Sequence, residues 1–174
     1  MHRFTLLVDK CVISTLKSLN DANEKITAAL QKSSETSLIT TVQSIQLQKV
    51  IFAVGMFSIF DACLQEGLKC KQGFKRAKEI LASEGELDLK ENFTNLCHAI
   101  NALKHGTGPS YNALMAEDTA LPFTIRPVDN FFSEGDVSEV STLIEVNDDF
   151  VQQCSDVIRD VSEVIRRAHP EFNK

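Results

Sequence analysis

The hydrophobic positions along this chain follow the spacing of α-helices over most of its length. Apolar residues recur every three to four positions from Phe4 to Leu30, from Leu38 to Leu68 and from Phe150 to Ala168, which is the spacing of residues on one face of a helix. A shorter helix is predicted over Phe74–Ala82. The pattern therefore predicts a mainly all-α fold, an up-and-down helical bundle of about four to five helices.

The segment from residue 86 to residue 106 is the most clearly two-sided of the predicted helices. Its apolar positions share one side of a helical wheel: Leu89, Phe93, Leu96, Ile100 and Leu103. Its polar positions share the opposite side: Glu91, Asn95, His98, Asn101 and His105. Gly106 is placed to end the helix in a left-handed conformation. The apolar side predicts contact with the core. The polar side is unusual because it consists mainly of amides and imidazoles.

Residues 50 to 60 are apolar on nearly every side of a helix. A helix of this length rises about 16 Å at 1.5 Å per residue, which is short of the ~30 Å hydrocarbon layer of a membrane. The segment therefore predicts the buried centre of a bundle or the seam of a dimer, with no membrane contact. Gly55 would let another helix approach closely, although a tolerated packing glycine is the simpler interpretation.

A small β element is predicted before the last helix. Residues 121–127 alternate in polarity and contain two prolines, as in an edge strand. Residues 142–146 form a second run rich in β-branched side chains. The sequence predicts a two-stranded antiparallel appendage near residues 121–146. It should pack on the bundle, because an isolated pair of strands is marginal in water.

Length and composition indicate a single globular domain over residues 1–174. The fractions of apolar residues, 43%, and charged residues, 24%, are those of an ordinary soluble protein. The formal net charge of −6 argues against a general electrostatic attraction to nucleic acid. The basic run at residues 69–78 could bind phosphate, but a solvated turn is the simpler interpretation.

The cysteines and the N-terminus favour a cytoplasmic protein. The five cysteines are scattered and none forms a C-x-x-C pair, which disfavours a disulfide framework and a zinc site. The N-terminus lacks the long apolar stretch of a signal peptide. His98 and His105 would lie about 10.5 Å apart along a helix, too far to share one metal ion comfortably. Asp61 could pair with either histidine, but we expect no metal and no cofactor.

The polar side of the 86–106 segment supplies the candidate site. Histidine titrates near neutrality, so it can accept and donate a proton, and asparagine can orient a phosphate or a hydroxyl without adding charge. These side chains either line a groove or dimer cleft or are simply exposed to solvent. The candidate catalytic residues are Asn101, His105 and His98, and the candidate binding residues beside them are Lys104, Ser110 and Tyr111.

The end of this segment resembles the HEPN superfamily, named for higher eukaryotes and prokaryotes nucleotide-binding. Asn101 and His105, with three residues between them, match the polar residue and the histidine of the family motif near the end of a bundle helix. Ile100 stands where the family has arginine. The resemblance implies a helical bundle. Catalytic members are metal-independent endoribonucleases in which Arg and His of two subunits face each other across a dimer axis.

We expect one of two functions. The first is a HEPN-like binding or interaction module of a bacterial defence or toxin–antitoxin system. It would be a homodimer with a polar Asn/His groove and would bind RNA, a nucleotide or a protein. The alternative is a metal-independent endoribonuclease with His105 as acid or base. Ile100 at the arginine position places the module first, although the arginines of the last helix could replace it in space: Arg159, Arg166 and Arg167.

Overall fold

In the computed structural model, the chain is predominantly α-helical, as the hydrophobic pattern predicts. The structure describes residues 4–32, 35–117, 120–128, 140 and 142–172. Within these residues there are six helices: α1 (Phe4–Leu30), α2 (Thr36–Gly67), α3 (Gly73–Ser83), α4 (Leu87–His105), α5 (Pro109–Met115) and α6 (Asp148–Ala168).

Local capping determines where several helices begin and end. The backbone N–H of Phe150 donates to Asn147 Oδ1 at 2.9 Å, so Asn147 caps α6. The first turn of α6 is acidic and its last turn is basic, which complements the helix dipole. Gly85 and Gly106 flank α4 with φ values of 79° and 73°. Glycine adopts this backbone region at low cost, so α4 is bounded as the sequence predicts.

The core lies where α2, α3, α4 and α6 meet. α6 contacts α1, α2, α3 and α4, and α4 contacts α2, α3, α5 and α6. Phe57 of α2 and Phe74 of α3 pack against Phe93 of α4, with ring centroids 6.3 and 5.4 Å from that of Phe93. Burying a phenylalanine contributes about 1.5–3 kcal/mol. This aromatic cluster fixes the position of α4 and therefore of its polar residues.

An ion pair joins the three longest helices, α1, α2 and α6. Lys49 Nζ lies 2.7 Å from Asp148 Oδ1, and Asn20 Nδ2 donates to Asp148 Oδ2 at 2.7 Å. Burial alone would raise the pKa of Asp148, but the hydrogen bonds from Lys49 and Asn20 and the charge of Lys49 lower it below its usual value. The pair therefore ties α1 and α2 to the beginning of α6.

Asp61 supports the start of α3. Its Oδ1 accepts a hydrogen bond from the backbone N–H of Phe74 at 3.0 Å, and its Oδ2 accepts one from Gln65. A Cβ atom at Gly73 would lie 2.7 Å from Asp61 Oδ1, so glycine is needed for this close approach. The carboxylate considered as a partner of a histidine thus bonds to the beginning of α3 and to its own helix.

The predicted β appendage is represented by one contact in the described residues. Ile125 and Ile144 form an isolated antiparallel bridge, and the backbone N–H of Arg126 donates to the Leu143 oxygen at 2.8 Å. The described parts of the two segments contain no strand, and residues 129–139 and 141 of the predicted appendage lie outside the described residues. The two prolines of the first segment limit pairing, because proline has no N–H to donate.

α2 is long and apolar enough to cross a membrane, and it is the one helix of the described residues that meets both criteria. Its 32 residues extend well beyond the apolar run at residues 50–60. Of its most apolar window, 33% is buried inside the bundle. Core helices of globular proteins can have the same length and composition, so these two properties are weak evidence for a membrane.

Candidate functional site

The polar residues of α4 lie in two different surroundings. His98 is half-buried and lines a cleft. His105, on the last turn, is exposed, and Asn101 is half-buried. Neither Asn101 nor His105 lines the cleft that contains His98. The structure therefore divides the predicted Asn/His stripe into a part that lines a cleft, Asn95 and His98, and a part that does not, Asn101 and His105.

The helical wheel for α4 does not predict the burial of Asn95. The wheel places this residue opposite the apolar side, yet the side chain is 8% exposed. Leu89 and Leu103, on the predicted apolar side, are only half-buried. The reason is that α4 is surrounded by α2, α3, α5 and α6, so contacts cover more of its circumference than one apolar stripe.

Two clefts lie along the part of α4 that precedes Asn101. The larger, of about 370 Å³, lies between α4 and α5. The smaller, of about 290 Å³, lies between α4 and residues 120–122. Glu91 and Asn95 line both, so the clefts adjoin along α4. We refer to the two together as the α4 cleft.

Side chains in and beside the α4 cleft contain polar atoms without a partner. Asn92 Oδ1 and His98 Nδ1 are buried and accept or donate no hydrogen bond. Asn92, Asn95 and His98 follow one another at three-residue intervals and lie along neighbouring positions of α4. Leaving a buried polar atom unpaired costs about 1–3 kcal/mol, so most such atoms in proteins are paired. Both atoms are enclosed by the surrounding side chains and are not open to the cleft.

The charges around the α4 cleft are mainly negative. Three carboxylates and one ammonium group line it, from Asp88, Glu91, Glu117 and Lys90. Burial lowers the pKa of His98, and the charge of Lys78 lowers it further. His98 is therefore neutral at pH 7, with one nitrogen to donate and one to accept. This balance of charge disfavours a phosphate ligand in the cleft.

The candidate binding residues differ in exposure. Lys104 is exposed, Ser110 is half-buried and Tyr111 is buried. The Tyr111 hydroxyl donates to the backbone oxygen of Arg126 at 3.0 Å. This bond attaches the segment after α5 to α5 itself. The Tyr111 hydroxyl is thus used within the fold, whereas Lys104 remains open to solvent beside His105.

The arginines of α6 are held by other partners. Arg167 Nη2 lies 2.9 Å from Glu86 Oε1. Glu86 directly precedes the first residue of α4, whereas His105 is the last residue of that helix. The 19 residues of α4 span about 27 Å. Arg167 therefore cannot take the place of the motif arginine in the same chain. Arg159 and Arg166 bond to residues of α6.

The side of α2 that faces away from the bundle is a second candidate surface. Leu47, Ile51 and Ile59 are 45%, 62% and 57% exposed, and a Cβ atom at Gly55 would meet no atom within 4 Å. These four residues follow an i, i+4 row along the helix. We call the surface that they form the α2 outer face. It is an apolar surface with open space in front of it.

This surface is also uncharged. Between Thr36 and Phe60 the sequence contains a single charged residue, Lys49. Its side chain is 8% exposed and pairs with Asp148, the partly exposed first residue of α6. A helix face in water normally carries charged residues, and large exposed apolar patches mark interaction sites. The α2 outer face therefore has the character of an interface.

The thiols differ in burial, and the potential metal ligands of the described residues are scattered. No group of three or more His, Cys, Asp or Glu side chains that could hold a metal ion occurs in the part of the chain that the structure describes. None of the five cysteines forms a disulfide bond. Burial raises the pKa of Cys97 to about 12 and also raises the pKa of Cys154. Both thiols therefore stay protonated and unreactive.

Comparisons of the chain with protein-family models, curated proteins and solved structures found no match. The resemblance to the HEPN superfamily therefore rests on the Asn101–His105 spacing and on the predominantly helical fold.

Sequence reasoning identified His98 as a site residue but missed Asn92. The signal was available, because Asn92, Asn95 and His98 repeat at three-residue intervals. Asn92, however, falls between the apolar and polar sides of the helical wheel. It lines a cleft because residues 120–122 lie opposite this part of α4, which the wheel does not predict.

Proposed function

We propose that this chain is a helical interaction module of HEPN-like organisation that forms a homodimer through the α2 outer face. The observation that carries the proposal is an exposed helix face without charge from Thr36 to Phe60. Exposed apolar surface costs free energy in water, roughly 25 cal/mol per Å². Covering it with another apolar surface recovers that cost. This is the driving force for association.

A second copy of the chain is the partner that this surface fits best. A twofold axis brings identical residues together, and the α2 outer face brings no charge into such a contact. The row formed by Leu47, Ile51, Gly55 and Ile59 is a ridge of the kind that packs against another helix. Gly55 at its centre leaves room for the second backbone.

The size of the surface sets a further requirement. A stable interface buries about 800 Å² on each partner, which is more than three half-exposed side chains supply. α1 packs along α2 and exposes Leu6 and Ile13, by 50% and 66%. These residues are available to extend the contact. The proposed interface is therefore centred on α2 and includes part of α1.

Sedimentation equilibrium tests the proposed dimer. We expect the wild-type chain to have twice the monomer mass of 19.3 kDa. Ile51→Glu would place a charge in the centre of the interface and should weaken dimerisation by about a hundredfold, because an unpaired charge is costly to bury. The matched control is Met115→Glu on α5, which is 49% exposed and should remain dimeric.

Two results would contradict the proposal. One is a wild-type chain that stays monomeric at high micromolar concentration. The other is a chain that floats with neutral phospholipid vesicles through the same residues, which would assign the α2 outer face to a membrane instead. Ile51→Glu should be folded by circular dichroism in either case, because Ile51 is 62% exposed.

An endoribonuclease is the second candidate function, because Asn101 and His105 lie one turn apart on α4 with His105 open to solvent. The RNA 2′-hydroxyl would attack the adjacent phosphate, and His105 would transfer a proton. Incubation with mixed RNA in EDTA tests this function. Cleavage by the wild type that is lost in His105→Ala supports it. RNA left intact by the wild type excludes it.

A further inference from the structure

We propose that the two copies of the proposed dimer pack antiparallel along α2, with Ile51 of each copy against Gly55 of the partner subunit. The inference rests on the proposed function and deepens it, since it identifies how the α2 outer face recognises a second copy. Apolar area accounts for association, whereas the order of large and small residues along α2 decides which arrangement forms.

The α2 outer face consists of protruding side chains and one notch. Leu47, Ile51 and Ile59 are 45%, 62% and 57% exposed, so their side chains stand out from the helix. Gly55 belongs to the same row but has no side chain, and a Cβ atom there would meet nothing within 4 Å. Close packing requires that a protrusion of one surface meet a gap in the other. The row is therefore best covered by a surface that fills the notch at Gly55.

A twofold axis allows two arrangements of a helix against its own copy. With the axis parallel to α2, each residue faces the same residue of the second copy. The two Ile51 side chains would then collide, and the two Gly55 residues would face each other across an empty space that loses van der Waals contacts. With the axis perpendicular to α2, the helices run antiparallel. Ile51 of each copy can then enter the notch of the other.

The polar residues beside the row favour the same register. Gln48 and Ser58 are exposed on α2. When Ile51 lies against Gly55 of the partner subunit, Gln48 lies opposite Ser58 of the partner subunit, because both pairs are equally distant from the axis. The Ser58 hydroxyl donates to the Val54 oxygen at 2.8 Å, so its own oxygen can accept a hydrogen bond from the Gln48 amide. Each polar residue therefore has a partner in this register.

Neighbouring registers match the residues less well. In the proposed register Leu47 lies opposite Ile59 of the partner subunit, so apolar residues meet apolar residues. Displacing one copy by a helical turn in one direction would bring Gln43 opposite Ile59. The same displacement in the other direction would bring Gln48 opposite Ala62. Each would place a polar amide against an apolar residue, which costs free energy.

The absence of charge favours a second copy over a charged partner. Between Thr36 and Phe60 the one charged residue of the sequence is Lys49, which is buried and pairs with Asp148. A charged surface placed on the α2 outer face would lose hydration without gaining an ion pair. In the antiparallel register, residues 46–60 of each copy face the same uncharged stretch of the other, so this cost does not arise.

Disulfide crosslinking distinguishes the two arrangements. The test chains carry Cys11→Ser, because Cys11 is exposed, together with either Leu47→Cys or Ile59→Cys. A disulfide requires Cα atoms within about 7 Å. In the antiparallel register positions 47 and 59 face each other, whereas the two copies of position 47 lie about 18 Å apart along the helix. We expect oxidation of the mixed chains to give a covalent dimer that links 47 to 59, and each chain alone to give almost none.

The Cys11→Ser chain without a new cysteine is the control for the remaining thiols and should form no covalent dimer. Covalent dimer from either single chain alone would show a parallel contact and overturn the antiparallel arrangement. Sedimentation equilibrium of the wild type and of the cysteine chains separates the two proposals. Dimer mass without the 47–59 crosslink overturns the antiparallel contact and leaves the proposed function. A monomeric wild type overturns both.

Substitutions at the notch test the same contact without crosslinking. Gly55→Ile should weaken dimerisation about tenfold or more, because the new side chain would occupy the space of Ile51 of the partner subunit. The chain should still fold by circular dichroism, since a Cβ atom at Gly55 meets nothing within 4 Å and isoleucine favours a helix more than glycine does. Ala82→Ile, at an exposed position of α3, is the matched control and should leave dimerisation unchanged. Unchanged or stronger dimerisation in Gly55→Ile would overturn the inference.

A compensating change tests the pair directly. Ile51→Gly combined with Gly55→Ile exchanges the protrusion and the notch, so the double variant should dimerise within about threefold of the wild type, as coupled positions do in a double-mutant cycle. A double variant that dimerises no more tightly than Gly55→Ile would contradict the facing pair.

Discussion

α2 and α4 both pass through the core, and each also contributes to a surface outside it, but the two surfaces differ in chemistry. The α2 outer face is apolar and exposed, with Ile51 62% open to solvent. The α4 cleft is polar and sheltered, with Asn95 only 8% exposed. Covering the α2 outer face with another apolar surface is favourable. In the α4 cleft, a polar group is stabilised when it acquires a hydrogen-bond partner. The two surfaces therefore require different ligands.

The same comparison applies within a single helix. Phe57 and Ile51 lie less than two turns apart on α2, yet Phe57 is fully buried against Phe93 and Ile51 is mostly exposed. Apolarity alone does not distinguish the two positions. What distinguishes them is whether another helix covers that side of α2.

The largest expected effect separates the two sides of α2. Phe57→Ala should lower the free energy of unfolding by about 3–5 kcal/mol, because it leaves a cavity in the aromatic cluster. Ile51→Ala should change the stability of the monomer by less than about 0.5 kcal/mol. Urea denaturation at low protein concentration measures both. Similar losses for the two variants would show that the α2 outer face is packed within the monomer.

The next largest effect concerns Lys49, the charged residue that α2 buries. Lys49→Met should cost about 1–2 kcal/mol, because it removes the partner of Asp148 from a partly exposed pair. Since the folded pKa of Asp148 is lowered, the stability from this pair is present above the unfolded pKa and is lost as pH falls through the folded pKa. Arg76→Met, which breaks the exposed Arg76–Glu79 pair, is the control and should cost little.

A smaller effect with the opposite sign is expected in the α4 cleft. Asn95→Leu should leave the ligand-free chain equally stable or more stable by up to about 1 kcal/mol, because a buried amide is replaced by an apolar group of similar size. Thermal unfolding measures the change. Asn112→Leu, at an exposed position of α5, should have little effect. A clear loss of stability in Asn95→Leu would instead assign the amide a structural role.

The smallest expected effect is the pH dependence of His98. Its folded pKa lies below the usual value, so the stability that neutral His98 contributes is complete above the unfolded pKa and is lost as pH falls through the lower folded pKa. His98→Gln should therefore lose less stability than the wild type between about pH 7 and pH 5, the range that begins near the ordinary histidine pKa. Parallel pH profiles would contradict the burial of the ring.

Much of the helical structure could be predicted from local patterns. The limits predicted for the first helix match α1, and Asn147 has the capping side chain that a helix beginning at Asp148 requires. The predicted buried positions of α6 are also buried, from Phe150 to Ile165. These features depend on residues within a few positions of one another, so periodicity and capping preferences are sufficient to identify them.

The candidate site could be predicted only in part. His98 was identified from its place on the polar side of α4, but the burial of Asn95 and the partners of Asp61 were not. A helical wheel assumes that one side faces the core and the other faces water. α4 does not meet this assumption, because α5 and residues 120–122 approach it from the polar side.

The sequence by itself determined which of the long segments are helical, where several of them end, and that residues 50–60 are apolar on nearly all sides. These properties follow from side-chain chemistry at short range. Only the tertiary structure decided that Ile51 is open while Phe57 is enclosed, and that Asn92 and His98 have buried polar atoms without partners. The physical reason is that burial depends on neighbours far away in the sequence, and no local pattern records which side of a helix they cover.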